Sequence, residues 1–200
     1  MKNIHDIIKD IHLDTHLSLE EIPDLELYMD QVIQLFEKKF AETKRNEDEK
    51  VLTKTMINNY AKGKLFFPIK NKRYSKEHVI LISMIYQMKS SLSIQDVKQT
   101  LGRLNEKIDE DSFSVQALYK KYIHLVEANN DIFEEAVETH TEQVAEEVQE
   151  LKDNESAYLE QLLLITSFTM MSNFYRKAAE KLVDNMEVKE TVEEERRLKE

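Results

Sequence analysis

Between Lys54 and Tyr74 the chain gathers short polar and cationic side chains at spacings that suit contact with a polyanion. Lys54, Thr55, Asn58, Asn59 and Lys62 recur at three- and four-residue intervals, which places them on the outer side of one short helix over about 53–62. A helix that enters the major groove of DNA reads base edges with such groups, and the amide of asparagine can pair bidentately with adenine. Asn58 and Asn59 would equally suit the end of a short helix. Met56 and Ile57 face inward, and Tyr60 is open between a core position and a hydroxyl–phosphate contact. Further on, Lys70, Lys72, Arg73 and Tyr74 form a second group, whose cations would sit on phosphates or in the minor groove and position the protein without reading sequence. The alternative for that group is a solvated hairpin.

The net charge of −11 argues against a nucleic-acid partner until its distribution is considered. Residues 44–100 hold 12 Lys/Arg and 5 Asp/Glu, a net of +7, whereas the other 143 residues carry −18. A basic island in an acidic chain is the electrostatic footprint of one polyanion-binding face.

Other chemistry is poorly provided for. With no cysteine, disulfides, iron–sulfur clusters and thiolate zinc sites are excluded. Two glycines, Gly63 and Gly102, are too few for phosphate-cradling loops, dinucleotide-binding turns or nucleophile elbows. His12 and His16 stand one turn apart on a possible helix near Asp10 and Asp14, but no His-Glu-x-x-His pattern accompanies them. His78 and His124 read as structural. No carboxylate pair lies in apolar surroundings that would separate two pKa values for acid–base work. The expectation is a non-enzymatic protein with no cofactor and no bound metal.

Scarce glycine and only two prolines, Pro23 and Pro68, leave an all-α fold. Residues 1–22 read as a polar tail or short helix. Pro23 would sit near the first turn of a helix with Leu25, Tyr28, Met29, Val32, Ile33, Phe36 and Phe40 on one face. Thr53 is placed to cap the next helix, which Gly63 would end in the left-handed conformation. Residues 64–74 lack helical periodicity and read as an extended hairpin or wing. Ser75 would cap a helix through about Lys89, and Ser93-Ile94-Gln95-Asp96 looks like a capping box opening a helix with Ile94, Val97, Leu101 and Leu104 inward. Asp109-Glu110-Asp111 marks a shift in composition, which divides the chain into a tail (1–22), a first domain (23–108), a helical module (109–186) and a charged, frayed tail (187–200). Within the module, helices are expected over 114–128 and 131–152, then from about Glu155 to Met186. Between Glu127 and Glu160 there are 12 acidic residues opposed only by Lys152, a composition that DNA repels.

The stretch Thr53-Lys54-Thr55-Met56-Ile57-Asn58-Asn59-Tyr60-Ala61-Lys62-Gly63-Lys64-Leu65 resembles the second helix of MerR-type regulators, roughly Ile-Arg-Tyr-Tyr-Glu-x-x-Gly-Leu. Ile85 to Val97 resembles the family's Ile-x-x-Leu-Arg-x-x-Gly-Phe-Ser-Leu-x-Glu-Ile segment. The order of parts, Pro68 and the Arg73-Tyr74 pair agree. Residues 20–105 are also similar to a bacterial family known mainly as a domain of unknown function, with YkrK-type regulators among its members. Its hallmark is similar to Leu-Thr-Lys-Thr-Met-Ile-Asn-Asn-Tyr followed by a Lys-Arg-Tyr wing. The resemblance implies a MerR-like winged helix-turn-helix that binds double-stranded DNA and regulates transcription. Asn58 stands where many MerR proteins have a phosphate-holding arginine, the link before the helix is longer, and the drug- and metal-binding motifs of that family's C-terminal part are absent.

The last helix carries Leu159, Leu162, Leu163, Leu164, Ile165, Phe168, Met170, Met171, Phe174, Tyr175 and Leu182 over most of its circumference. A helix apolar all round has to be buried on all sides. A second copy of the chain would do this, with Leu159, Leu162, Leu163, Phe168, Met171, Phe174 and Leu182 at the interface. The central helix of an intrachain bundle and a Met-rich effector pocket are the other options. The run Leu162–Phe174 is too short and too polar to span a membrane, and the polar N-terminus does not read as a signal peptide. The expected protein is a cytoplasmic homodimer, nucleoid-associated when bound to DNA, with a small-molecule or protein effector as a further partner. The second reading is a winged helix that binds a protein instead of DNA.

Overall fold

The computed structural model describes residues 4–108 and 113–197, with side chains described as far as Met186. The described residues are predominantly helical: α1 (Ile4–Ile11), α2 (Met29–Lys39), α3 (Lys54–Lys62), α4 (Lys76–Met88), α5 (Ile94–Ile108), α6 (Val115–Leu151) and α7 (Ser156–Arg197). Two short strands, β1 (Leu27–Tyr28) and β2 (Arg73–Tyr74), pair antiparallel with Leu27 opposite Tyr74 and Tyr28 opposite Arg73. The chain divides into two compact units, one of Met1–Thr15 with Tyr122–Tyr175 and one of His16–Lys121 with Arg176–Glu200. The composition shift at Asp109–Asp111 lies outside the described residues.

The larger unit is organised around α4. Val79, Ile80, Leu81, Ile82, Ser83 and Ile85 are all buried, so this helix is enclosed on nearly every side. Phe36 of α2 and Phe40 just after it form an aromatic cluster with Tyr86, their rings 6.1 and 4.7 Å from it. Tyr119 of α6 shares a buried hydrogen bond with Ser83 at 2.9 Å and donates to the carbonyl of Leu17 at 2.7 Å. Glu37 closes the connector after α2 by accepting from Lys44 at 2.6 Å and from the Val51 amide at 3.0 Å. The Lys44 hydrogen bond is the main reason its carboxyl titrates below the usual range. At the far end of α5, Asn105 donates to the carbonyl of Leu65, and Gln99 donates to that of Val183 on α7.

Several sequence expectations change. Helix α2 begins at Met29 and Pro23 stands before it, because Tyr28 is drawn into extended pairing with β2. Leu25 and Tyr28 are consequently exposed. Gly63 is right-handed (φ −71°), and the left-handed seat falls one residue later on Lys64 (φ 56°). Bonds from the Leu65 amide to the Tyr60 carbonyl and from Lys64 to Ala61 make this a Schellman ending. Glycine at position 63 leaves room for Leu65: a Cβ there would lie 2.7 Å from Leu65 Cδ1, which would have to shift.

Further along, Ile94 is exposed although the Ser93–Asp96 capping box forms in both directions. The two expected helices over 114–128 and 131–152 are one continuous α6, since Asn129 and Asn130 do not break a helix as proline would. The backbone of the charged segment after 186 continues helical to Arg197, and the rest of that tail lies outside the described residues. Helix α1 ends at Ile11 with His12 left-handed (φ 55°), so His12 and His16 do not share a helix.

His78 ties the start of α4 to the segment that leads into the β2 hairpin. Its Nδ1 lies 3.1 Å from the Ser75 amide and 2.9 Å from the Ser75 hydroxyl, and its Nε2 lies 3.2 Å from the carbonyl of Phe67. The amide must donate, so Nδ1 accepts and the ring is the neutral Nε2–H tautomer. Burial among Phe66, Phe67 and Tyr74 pushes its pKa below the ordinary value of 6.5. A proton therefore binds the unfolded chain more readily, and stability falls as pH drops through 6.5 towards the lower folded value. The depressed carboxyls of Glu21 and Glu37 add their losses only at more acidic pH, below their ordinary 4.5. Thermal unfolding followed by circular dichroism should show a lower midpoint at pH 5.5 than at pH 7.5. The His78→Gln variant should lose most of that difference.

Candidate nucleic-acid interface

The local sequence sets the outer face of α3 in two ways. Thr53 accepts from the Met56 amide at 3.1 Å and fixes where the helix starts. Ile57 and Tyr60 bury completely, which turns Lys54, Thr55, Asn58, Asn59 and Lys62 to solvent. All five polar residues expected on the outer side are exposed there. The helix end is made by backbone bonds to Lys64 and Leu65, so Asn58 and Asn59 are not needed as caps.

The hairpin is tighter than the 64–74 segment suggested. Lys70 and Arg73 form an antiparallel bridge around Asn71 and Lys72, both left-handed at φ 50° and 57°. Two central residues of positive φ define the type I′ turn, whose twist suits a hairpin. Lys70 and Lys72 are exposed at its tip. Arg73 behaves differently: its guanidinium stacks 4.5 Å above the Tyr28 ring and donates to the Tyr28 hydroxyl at 2.9 Å. Asn58 of α3 and Lys72 of the hairpin line one cleft of about 410 Å³, together with Tyr28, Met29, Asp30, Ile69 and Tyr74. Asp30 also pairs with Lys54 at 2.9 Å across an exposed gap.

Two residues leave the expected contact set. Tyr60 and Tyr74 are core side chains, and burial raises both phenol pKa values. Tyr60 lies one turn from Ile57 on the inner face of α3, and Tyr74 sits opposite buried Leu27 in the sheet. Sequence reasoning missed Tyr28 and Asp30, because they reach this cleft through strand pairing over some forty residues. No periodic pattern carries that information.

Not every cation of the basic island serves this face. Lys44 is committed to Glu37, Lys76 to Asp24 at 2.6 Å, and Lys89 to the Val51 carbonyl and the Tyr86 ring.

On α7, Leu162, Leu163, Phe174 and Leu182 are exposed, while Leu159, Phe168 and Met171 are half-buried. Leu164 and Val183 are its buried apolar residues among those described. Ser156 to Tyr175 contains one charge, Glu160. No helix among the described residues is long and apolar enough to cross a membrane, and none of their His, Asp and Glu residues cluster in a way that could hold a metal.

These features define a helical protein that presents a polar helix and a cationic hairpin beside a shared cleft. The chain belongs to the DUF1836 family, a domain of unknown function, which matches residues 17–122. Neither a curated protein nor a solved structure matches the chain.

Burial separates the α3 residues into two groups with different expected costs. Asn58→Ala and Asn59→Ala should each alter unfolding free energy by no more than about 0.5 kcal/mol. Tyr60→Ala should cost about 3 kcal/mol, as expected for removing a buried ring. Denaturant titration of the three variants measures both.

Proposed function

We propose that the protein is a sequence-specific DNA-binding transcription regulator that acts as a homodimer. The observation that carries this reading is the cleft shared by Asn58 of α3 and Lys72 of the hairpin, flanked by the exposed Lys54, Thr55, Asn59 and Lys62. Helix α3 acts as the recognition helix in the major groove, and the 70–73 hairpin acts as a wing on phosphates. The succession α2, α3, hairpin, α4, α5 supports a MerR-like winged helix-turn-helix. The sequence resemblance over residues 20–105 supports the same reading. Arg73, held on Tyr28, is a pre-oriented cation, and Lys70 and Lys72 extend from the turn into solvent.

Binding of duplex DNA should weaken with salt at a log–log slope of about −4 to −7, corresponding to roughly 5–8 neutralised phosphates in a dimer. Lys72→Ala with Arg73→Ala should weaken binding to all sequences and flatten that slope. Asn58→Ala or Asn59→Ala should cost about 1–3 kcal/mol on the preferred site only. Fluorescence anisotropy at several salt concentrations distinguishes the two effects. A slope near zero with no DNA retained would replace this reading with a protein-binding module.

Self-association is assigned to α7. Leu159, Leu163, Met170 and Phe174 fall on one side of this helix, while Phe168, Met171 and Tyr175 fall on the side that shares a groove with α6. The first stripe lies in the stretch with a single charge, so two copies can approach there without like-charge repulsion. An apolar interface of this kind resembles a domain core cut in two. A twofold axis would also present two recognition helices to a palindromic site. Leu163→Glu with Phe174→Glu should give monomers by light scattering while the α3 unit stays folded. A clean dimer from that variant would move the interface elsewhere.

A further inference from the structure

The smaller unit contains an open apolar groove that the proposed function does not use, with Ile132, Phe133 and Tyr175 exposed along it. Asn129, Asn130, Ile132, Phe133, Ala136, Val137 and His140 of α6 face Phe168, Met171, Ser172 and Tyr175 of α7, and Leu13 lies at the edge. The space is about 520 Å³, within the roughly 300–1,000 Å³ typical of small-molecule sites. Its walls are chiefly apolar, with three aromatic rings from Phe133, Phe168 and Tyr175 and a few polar groups. His140 has its Nδ1 2.8 Å from the Ala136 carbonyl, which requires Nδ1–H to donate and leaves Nε2 as an acceptor in the neutral ring.

Charge narrows the occupant further. Between Tyr122 and Tyr175 the chain has 12 Asp/Glu and one cation, Lys152, and no lysine or arginine lines the groove. A carboxylate or phosphate ligand would find no counter-ion and would meet a strongly negative field. A cationic apolar molecule would instead gain from that field and from the negative faces of the three rings. The same acids oppose insertion of a second copy, which would bring its own α6 acids with it.

We propose that this groove is a binding site for a small, singly cationic aromatic amphiphile. It is held by Met171 and by Phe133, Phe168 and Tyr175, whose ring faces receive the cation. The site stands independently of DNA binding, because it rests on α6 and α7 residues with no part in the α3 cleft.

The test uses the full chain and three probes with one apolar body: diphenylhexatriene, its trimethylammonium derivative and its propionate derivative. The cationic probe should bind at one site per chain, at least about tenfold tighter than the propionate at low salt, with the gap narrowing as salt screens the acids. Two variants locate the site from opposite walls: Ala136→Trp on α6 and Ser172→Trp on α7. Both enlarge a side chain into open space, and circular dichroism checks that helicity is kept. Each should weaken the cationic probe at least about tenfold if the groove is the site. Equal affinity of the three probes, preference for the propionate, or unchanged binding in both tryptophan variants would overturn the proposal. A fall in mass to monomer by light scattering in both variants would overturn it too, by showing that the groove receives a second copy.

Discussion

Enclosure of α4 is the constraint on which the larger unit depends. A helix that buries Val79, Ile80, Leu81, Ile82 and Ser83 in succession has no solvent side over that stretch and must be covered from several directions at once. The aromatic pair of Phe36 and Phe40 covers its far end, Tyr119 of α6 covers Ser83, and the ring cluster of Phe66, Phe67 and Tyr74 packs on His78 at its start. Ser83 is tolerated because its hydroxyl is satisfied by Tyr119, which in turn satisfies the Leu17 carbonyl. One buried polar relay thus joins three segments distant in sequence, and leaving any member unpaired would cost more than the bond contributes. The exposed face of α3 follows from the same packing, since Ile57 and Tyr60 are taken inward.

The helices were legible where a pattern is local. Thr53, Ser75 and Ser93 announced three helix starts, and period alone placed Lys54, Thr55, Asn58, Asn59 and Lys62 on the exposed side of α3 and Ile57 on the buried one, leaving Tyr60 open. What was not legible depends on distant partners. Tyr28 has the spacing of an apolar helical residue, yet pairing with Arg73 makes it a strand residue and a platform for that guanidinium. Tyr74 was grouped with its cationic neighbours, but alternation along a strand sends it to the opposite face. The paired asparagines at 129–130 look like punctuation, and only an uninterrupted ladder of backbone bonds shows that α6 continues through them.

The electrostatic division of the chain is finer than its sequence blocks suggest. Part of the basic island is internal: Lys44, Lys76 and Lys89 hold connectors and helix ends, and burial lowers the pKa of Lys89. Lys62 of α3 and Lys70 and Lys72 of the hairpin are exposed, as are Arg45, Lys50 and Lys98 elsewhere in the island. The acids concentrate on α6, whereas the adjoining stretch of α7 is nearly neutral and carries exposed Leu162, Leu163 and Phe174. The proposed polyanion contact, self-association and ligand binding would therefore draw on three surfaces of different electrostatic character.

The left-handed backbone seats are occupied by residues other than glycine. Lysine occupies three of them, Lys64, Lys72 and Lys152, and asparagine a fourth, Asn71. A residue with a β-carbon costs about 1–2 kcal/mol in that conformation, which glycine avoids. A turn built only for folding would favour glycine at Lys64 and Lys72, beside and within the proposed contact surface. Keeping an ammonium group there trades conformational ease for a fixed point of positive charge.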